Sequence, residues 1–245
     1  MIRIILKEAK APAKELYGYE ASREKLDKKF VDSDLVSKED KVQTIINVYN
    51  AASEETKDFF GGWYEHAGRA VENLAREYSI DPVVAKCATA ILSPGNTFIR
   101  NLIATKTLIR NYKLGENKRI DTNNSSNAAK AMAVLKNGNT ALVNWERSPK
   151  TSLFFQCLLD PKNVDKGIVI DGHAISIWLG KKLKLKSSDI RSANTKTTLN
   201  LIKADYLQAA EKLGIQPHAL QAVTWAVWKN TAGVEKLAAQ SGGLK

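Results

Sequence analysis

The chain has 245 residues, of which 44% are hydrophobic. That is enough apolar material for real cores, and it argues against a disordered protein. Thirty-seven basic residues against 26 acidic ones give a net charge of +11, which favours a polyanionic partner, most simply nucleic acid. The two cysteines, Cys87 and Cys157, sit in apolar helical patterns and read as buried free thiols. No Cys or His spacing supports a zinc site or an iron–sulfur cluster, so no cofactor is expected. The apolar run at residues 1–10 is too short for a signal peptide, and no stretch is long enough to span a bilayer. The expectation is a cytoplasmic monomer that does not enter membranes.

Residues 1–40 read as a charged N-terminal extension. Residues 1–6 suit a short strand or tail, and residues 11–30 a surface helix. Asp32, Asp34, Glu39 and Asp40 form an acidic linker. From Lys41 the pattern turns helical, with Ile45, Val48, Tyr49 and Ala52 on one face. Gly61-Gly62 breaks the next segment and leaves Trp63-Tyr64 at a junction, either as core packing or as the wall of a base pocket. Asp81-Pro82 is a cap followed by proline at the first helical position. The helix behind it, residues 83–92, is almost wholly apolar and should be central. Ser93-Pro94-Gly95-Asn96 is a turn. After it, Phe98, Leu102 and Ile109 face inward, on a helix that also carries Arg100, Lys106 and Arg110. A polar loop at 121–126 precedes a helix over 127–136 that stops at Gly138.

The most informative stretch is residues 142–186. A polar knot at 144–149 reaches Lys150 and is followed by Leu153, Phe154, Phe155, Leu158 and Leu159. Ile168-Val169-Ile170 then delivers Asp171 to a new helix. An acid between an apolar lead-in and an apolar helix should be partly desolvated, which suits chemistry. It is equally a favoured N-cap, and the two roles are compatible. Residues 181–203 carry seven basic residues, among them Lys181, Lys182, Lys184 and Lys186, against Asp189 alone. They form a solvated face or a phosphate-tracking edge. Residues 204–213 are helical and stop at Gly214. The last helix, after Pro217, bears Ala222, Trp225 and Trp228 on one face, a stripe that reads as core rather than as a stacking platform. The whole is an all-α domain over residues 41–245.

Lys150-Thr151, an apolar helix and then Val169-Ile170-Asp171-Gly172-His173 resemble the helix-hairpin-helix DNA glycosylases. Ala90-Ile91-Leu92-Ser93-Pro94-Gly95-Asn96 is similar to that superfamily's Leu-Leu-Ser-x-Gln segment. Asn127-Ala128-Ala129-Lys130-Ala131 is similar to its helix before the hairpin. The resemblance covers about residues 83–180 in order. Val48-Tyr49, Trp63-Tyr64, Asp171-Gly172-His173 and Gln221-Ala222-x-x-Trp225 also resemble phage-encoded proteins of unknown function related to that fold. Two departures stand out. Glu146 and Ser148 replace hairpin glycines, and Gly95 replaces the glutamine.

The resemblance implies a helix-hairpin-helix glycosylase-like fold and cleavage of the N-glycosidic bond of a damaged or hypermodified base in DNA. Asp171 would be the catalytic carboxylate and Lys150 an amine able to support lyase chemistry. Asn96, Trp63, Tyr64 and His173 would line the base pocket, with His173 supporting the helix start. Arg147, Ser148, Lys181, Lys182, Lys184 and Lys186 would hold DNA. A base-hypermodification enzyme on the same scaffold and a noncatalytic nucleic-acid-binding protein remain as alternatives. So does a helical accessory protein that binds protein.

Overall fold

A computed structural model describes residues 40–143, 148–163 and 167–231. The N-terminal extension at 1–39, with its expected strand and helix and all of the acidic linker except Asp40, lies outside the described residues, as do Glu146 and Arg147. All regular structure among the described residues is helical. The helices are α1 (Lys41–Asn50), α2 (Glu54–Gly61), α3 (Trp63–Glu77), α4 (Pro82–Leu92), α5 (Phe98–Leu114), α6 (Ser125–Asn137), α7 (Pro149–Leu159), α8 (Gly172–Leu179), α9 (Ser188–Ala193), α10 (Lys196–Leu213) and α11 (Pro217–Thr231). Short 3-10 turns follow α6 and α7.

The helix ends follow from local chemistry. Asp40, Ser53, Asp81, Thr97, Asn124, Asp171, Ser187 and Thr195 each cap a helix start with a side-chain oxygen. Those oxygens satisfy amides that have no partner within the helix. Two sequence expectations change. Helix α10 begins at Lys196 rather than near 204, because Thr195 supplies a cap. The stretch before it holds α9, started by Ser187. Leu102 is only half-buried, and Leu108 takes the inward place instead.

The residues expected as one domain from 41 onward fall into two compact units. One spans Tyr64–Gly167. The other combines 40–63 with the chain from Ile168 onward. In the first, α4 is the central element, packed by α5, α6 and α7. Its residues from Val84 to Leu92 are all buried, Cys87 included. Burial pushes the thiols of Cys87 and Cys157 up to about 12, so both stay protonated and inert. A polar thread joins α4 to α5. Asn101 donates to the Thr89 carbonyl at 2.9 Å, and Thr105 donates to Asn101's carbonyl at 2.9 Å.

Lys86 is the charged exception in α4, only 4% exposed. Its ammonium meets Glu72 of α3 at 2.5 Å. That hydrogen bond and the Lys86 charge outweigh desolvation and hold the Glu72 carboxyl below its ordinary range. Close by, α3 passes α7 at Gly68. A Cβ there would sit 2.6 Å from the Leu158 carbonyl oxygen, so only glycine admits this approach.

In the second unit α1 packs on α8, α10 and α11, and α11 also packs on α2 and α8. Ile45, Val48, Ile202, Tyr206, Leu220 and Ile177 are among its most deeply buried side chains.

Candidate functional site

The second unit gathers a polar cluster around Asp171. Ile168 and Val169 are buried, which fixes the lead-in, and the backbone arrives extended at Asp171. Oδ1 of Asp171 accepts from the amides of His173 and Ala174, each at 2.9 Å. The cap reading is therefore shown, and Asp171 itself is half-buried. Both bonds go to Oδ1, so the cap does not use Oδ2.

Side chains of α2, α8, α10 and α11 define the surroundings. The imidazole of His173 stands edge-on to Trp225 of α11, ring centroids 6.2 Å apart. Trp225 also meets Phe60 of α2 at 6.3 Å. One turn beyond Trp225, Lys229 places its Nζ 4.6 Å from the indole centroid. Burial lowers the Lys229 ammonium below the ordinary lysine range, and the Asp171 carboxylate pulls partly back. Tyr206 of α10 is fully buried. Burial pushes its phenol up, the Asp171 charge adds to this, and Thr224 opposes it. The hydroxyl lies beside Thr224 without a hydrogen bond of good geometry. Thr224 spends its own proton on backbone, at the Leu220 and Gln221 carbonyls. The Asp171 charge thus acts on both the Lys229 ammonium and the Tyr206 phenol. The carboxylate can stabilise positive charge, and burial makes the amine give up its proton more readily than an exposed lysine would.

Sequence reasoning named Asp171 and His173 as candidates and did not name Lys229 or Tyr206. The four-residue spacing of Trp225 and Lys229 was the available signal. It was absorbed into an aromatic core stripe, of which Trp228 is buried and Trp225 only half-buried.

The basic edge follows α8 directly and is fixed to it by Ser176. The Ser176 hydroxyl donates to the Lys181 carbonyl. It also accepts from the Leu183 amide at 3.2 Å and from Trp228 Nε1 at 3.0 Å. One hydroxyl is thereby fully used, with one proton given and two bonds taken. Lys182 lies 5.3 Å from the Trp228 ring centroid and is half-buried, whereas Lys181, Lys184 and Lys186 are exposed.

The remaining expected site residues have contacts of their own. Asn96 donates to the Leu92 carbonyl at 3.0 Å and accepts from Asn123 at 3.2 Å, so its amide closes the 93–96 turn. Gly95 has φ +78°, and a Cβ there would lie 2.7 Å from Asn123 Nδ2. This left-handed geometry explains why glycine stands where the resemblance expects glutamine. Tyr64 is 4% exposed and packs on Phe154, centroids 6.3 Å apart, which is the core arm of the expectation. Trp63 begins α3 and is half-buried. Lys150 is exposed in the first turn of α7, behind Ser148, whose side chain makes no cap bond. Lys150 and Asn96 lie in the first unit, Asp171 and His173 in the second.

The basic run after residue 97 is largely neutralised. Arg100 grips Asp121 with two bonds, at 2.7 and 3.1 Å. Arg110 grips Glu116, which Lys118 also meets at 3.2 Å. Lys106 approaches Glu77 at 3.7 Å.

Among the described residues no helix is long and apolar enough to cross a membrane. Nor does any group of three His, Cys, Asp or Glu side chains converge as metal ligands there. Residues 27–232 match a family described as a family of unknown function, DUF7178. No curated protein and no solved structure matches the chain.

Proposed function

The chain belongs to the DUF7178 family, and we propose that it is a DNA glycosylase-like enzyme with Asp171 as its catalytic carboxylate. Its substrate class is DNA carrying a damaged or hypermodified base. The ordered resemblance to helix-hairpin-helix glycosylases motivates the reading. One observation carries it: Asp171 is half-buried at the start of α8 and spends only Oδ1 on the cap, next to His173, whose ring meets Trp225. Cleaving an N-glycosidic bond builds positive charge on the sugar as the base departs, and a fixed carboxylate stabilises it. The target base must first leave the stack. Lysines exposed along 181–186 would hold the phosphates of the strand.

A second reading keeps the DNA but drops the chemistry. It is favoured by the engaged amide of Asn96 and the buried ring of Tyr64, neither of which is offered to a base. Incubating the chain with duplexes carrying different modified bases, then scoring alkali-labile abasic sites, separates the two. Abasic sites support the enzyme. Salt-sensitive binding with no abasic product from any duplex supports the binding protein.

A further inference from the structure

The basic edge carries one side chain that phosphate binding does not use. Leu185 is 53% exposed, and Lys184 and Lys186, which flank it in the chain, are exposed as well. The Ser187 amide donates to the Lys184 carbonyl at 2.8 Å, which makes Leu185 and Lys186 the central residues of a tight turn. Both ends of the turn are anchored. On the α8 side, the Ser176 hydroxyl holds the Lys181 carbonyl and the Leu183 amide. On the other side, Ser187 Oγ accepts from the Ile190 amide at 3.3 Å and starts α9. Leu185 also has a backing. A Cβ at residue 172 would lie 2.7 Å from Leu185 Cδ2 and 3.8 Å from the Ile190 side chain, so the bare Gly172 leaves room for Leu185 to rest there. The turn thus presents a large apolar tip against Gly172, the residue after Asp171.

A single exposed leucine is ordinary on a protein surface. The charge around this one sets it apart. Lys181, Lys184 and Lys186 make no ion pair among the described residues, whereas Asp121, Glu116 and Glu77 engage the basic run after residue 97. Asp189 is the only acid from 181 to 203. A DNA duplex offers the matching chemistry, an apolar base stack between two rows of phosphates. A bilayer surface would ask for several apolar side chains on one plane, yet Leu183 is half-buried and Ile190 is buried. The turn lies beyond residues 83–180, so the family resemblance gives it no role.

We propose that the 184–187 turn is a duplex wedge, in which Leu185 enters a base step while Lys184 and Lys186 hold phosphates beside it. The inference rests on the DNA partner of the proposed function and not on its chemistry. A wedge unstacks the step it enters, so it favours steps that open easily, such as those at a mismatch.

The test uses the full chain and two duplexes, one fully paired and one with a single mismatch beside a 2-aminopurine. Fluorescence of the 2-aminopurine reads unstacking, and anisotropy across a salt series reads affinity and phosphate contacts. The parent should brighten the 2-aminopurine and bind the mismatched duplex about tenfold more tightly, the order expected for burying an exposed leucine. Leu185→Ala should lose both effects and keep the salt slope, with unchanged circular dichroism confirming its fold. Leu185→Met keeps an apolar chain of similar size and should retain both. Lys184→Ala should flatten the slope and keep the preference. A Leu185→Ala variant that brightens the probe and prefers the mismatch as the parent does overturns the wedge and leaves DNA binding standing. Equal binding of both duplexes by the parent, without brightening, does the same. Binding to phosphatidylserine vesicles that depends on Leu185, with no binding to either duplex, overturns the wedge and the DNA reading together. None of these readouts involves base release, so a failure of the glycosylase chemistry is seen separately and leaves the wedge intact.

Discussion

Asp171 caps α8 through one oxygen, and its charge opposes the lowering that burial imposes on the Lys229 ammonium of α11. The two roles respond differently to substitution. Asp171→Ala removes the cap and should cost about 1 kcal/mol in denaturant unfolding. Asp171→Asn keeps an accepting oxygen and should cost much less. Both remove the charge that raises Lys229, so both should lower the Lys229 titration further. Lysine side-chain NMR measures that shift, and an unchanged Lys229 titration in both variants would disprove the coupling.

The basic edge should act through charge number. Lys184→Ala and Lys186→Ala each remove an exposed cation. For every phosphate left without its cation, the log Kd against log salt plot should flatten by about 0.9 units on duplex DNA. Lys182→Ala should change the slope less, because its ammonium is half-buried over Trp228. Fluorescence anisotropy across a salt series reads this directly. Unaltered slopes in all three variants would leave the edge a solvated face.

Gly68→Ala should destabilise the first unit by about 1–3 kcal/mol, the usual cost of forcing atoms into a packed contact. The clash is with backbone at Leu158, which cannot rotate away as a side chain could. Urea unfolding of the variant measures the cost.

Acid should weaken the chain through its paired carboxylates. Arg110 holds the Glu116 carboxyl at about 2, below its ordinary 4.5. Arg100 lowers Asp121 and Lys86 lowers Glu72. A carboxyl depressed in the folded state contributes stability above its unfolded value and loses it as pH falls through the folded value. Stability should therefore drop between pH 4.5 and about 2. Glu116→Gln should flatten that decline in a series of urea melts at stepped pH, and a decline of the same depth would assign it to other acids.

Local chemistry made much of this fold legible. Asp81-Pro82, Gly138 and Gly214 mark helix ends where caps and left-handed glycines need only neighbours in sequence. Asp171 was legible for the same reason. Lys229 and Tyr206 were not, because burial of a lysine or an orphaned phenol depends on helices brought together from afar. In isolation, Lys229 near the end of a helix reads as a solvated residue. The division at Trp63–Tyr64 and Gly167–Ile168 was hidden similarly, since the chain leaves the second unit and returns about a hundred residues later. The motif at Asn96 did not show that Asn123 and Leu92 engage its amide, because Asn123 comes from a loop distant in sequence.

The most direct measurement compares base release by the parent chain and Asp171→Asn at matched DNA binding. Substrates are duplexes carrying a panel of damaged and hypermodified bases, scored as abasic sites in single turnover. Asn keeps the cap but supplies no negative charge to the developing oxocarbenium. The account predicts release by the parent and a loss of about 100-fold or more in the variant, with binding and fold retained. Equal release by both proteins would contradict it, leaving Asp171 a helix cap and nothing more.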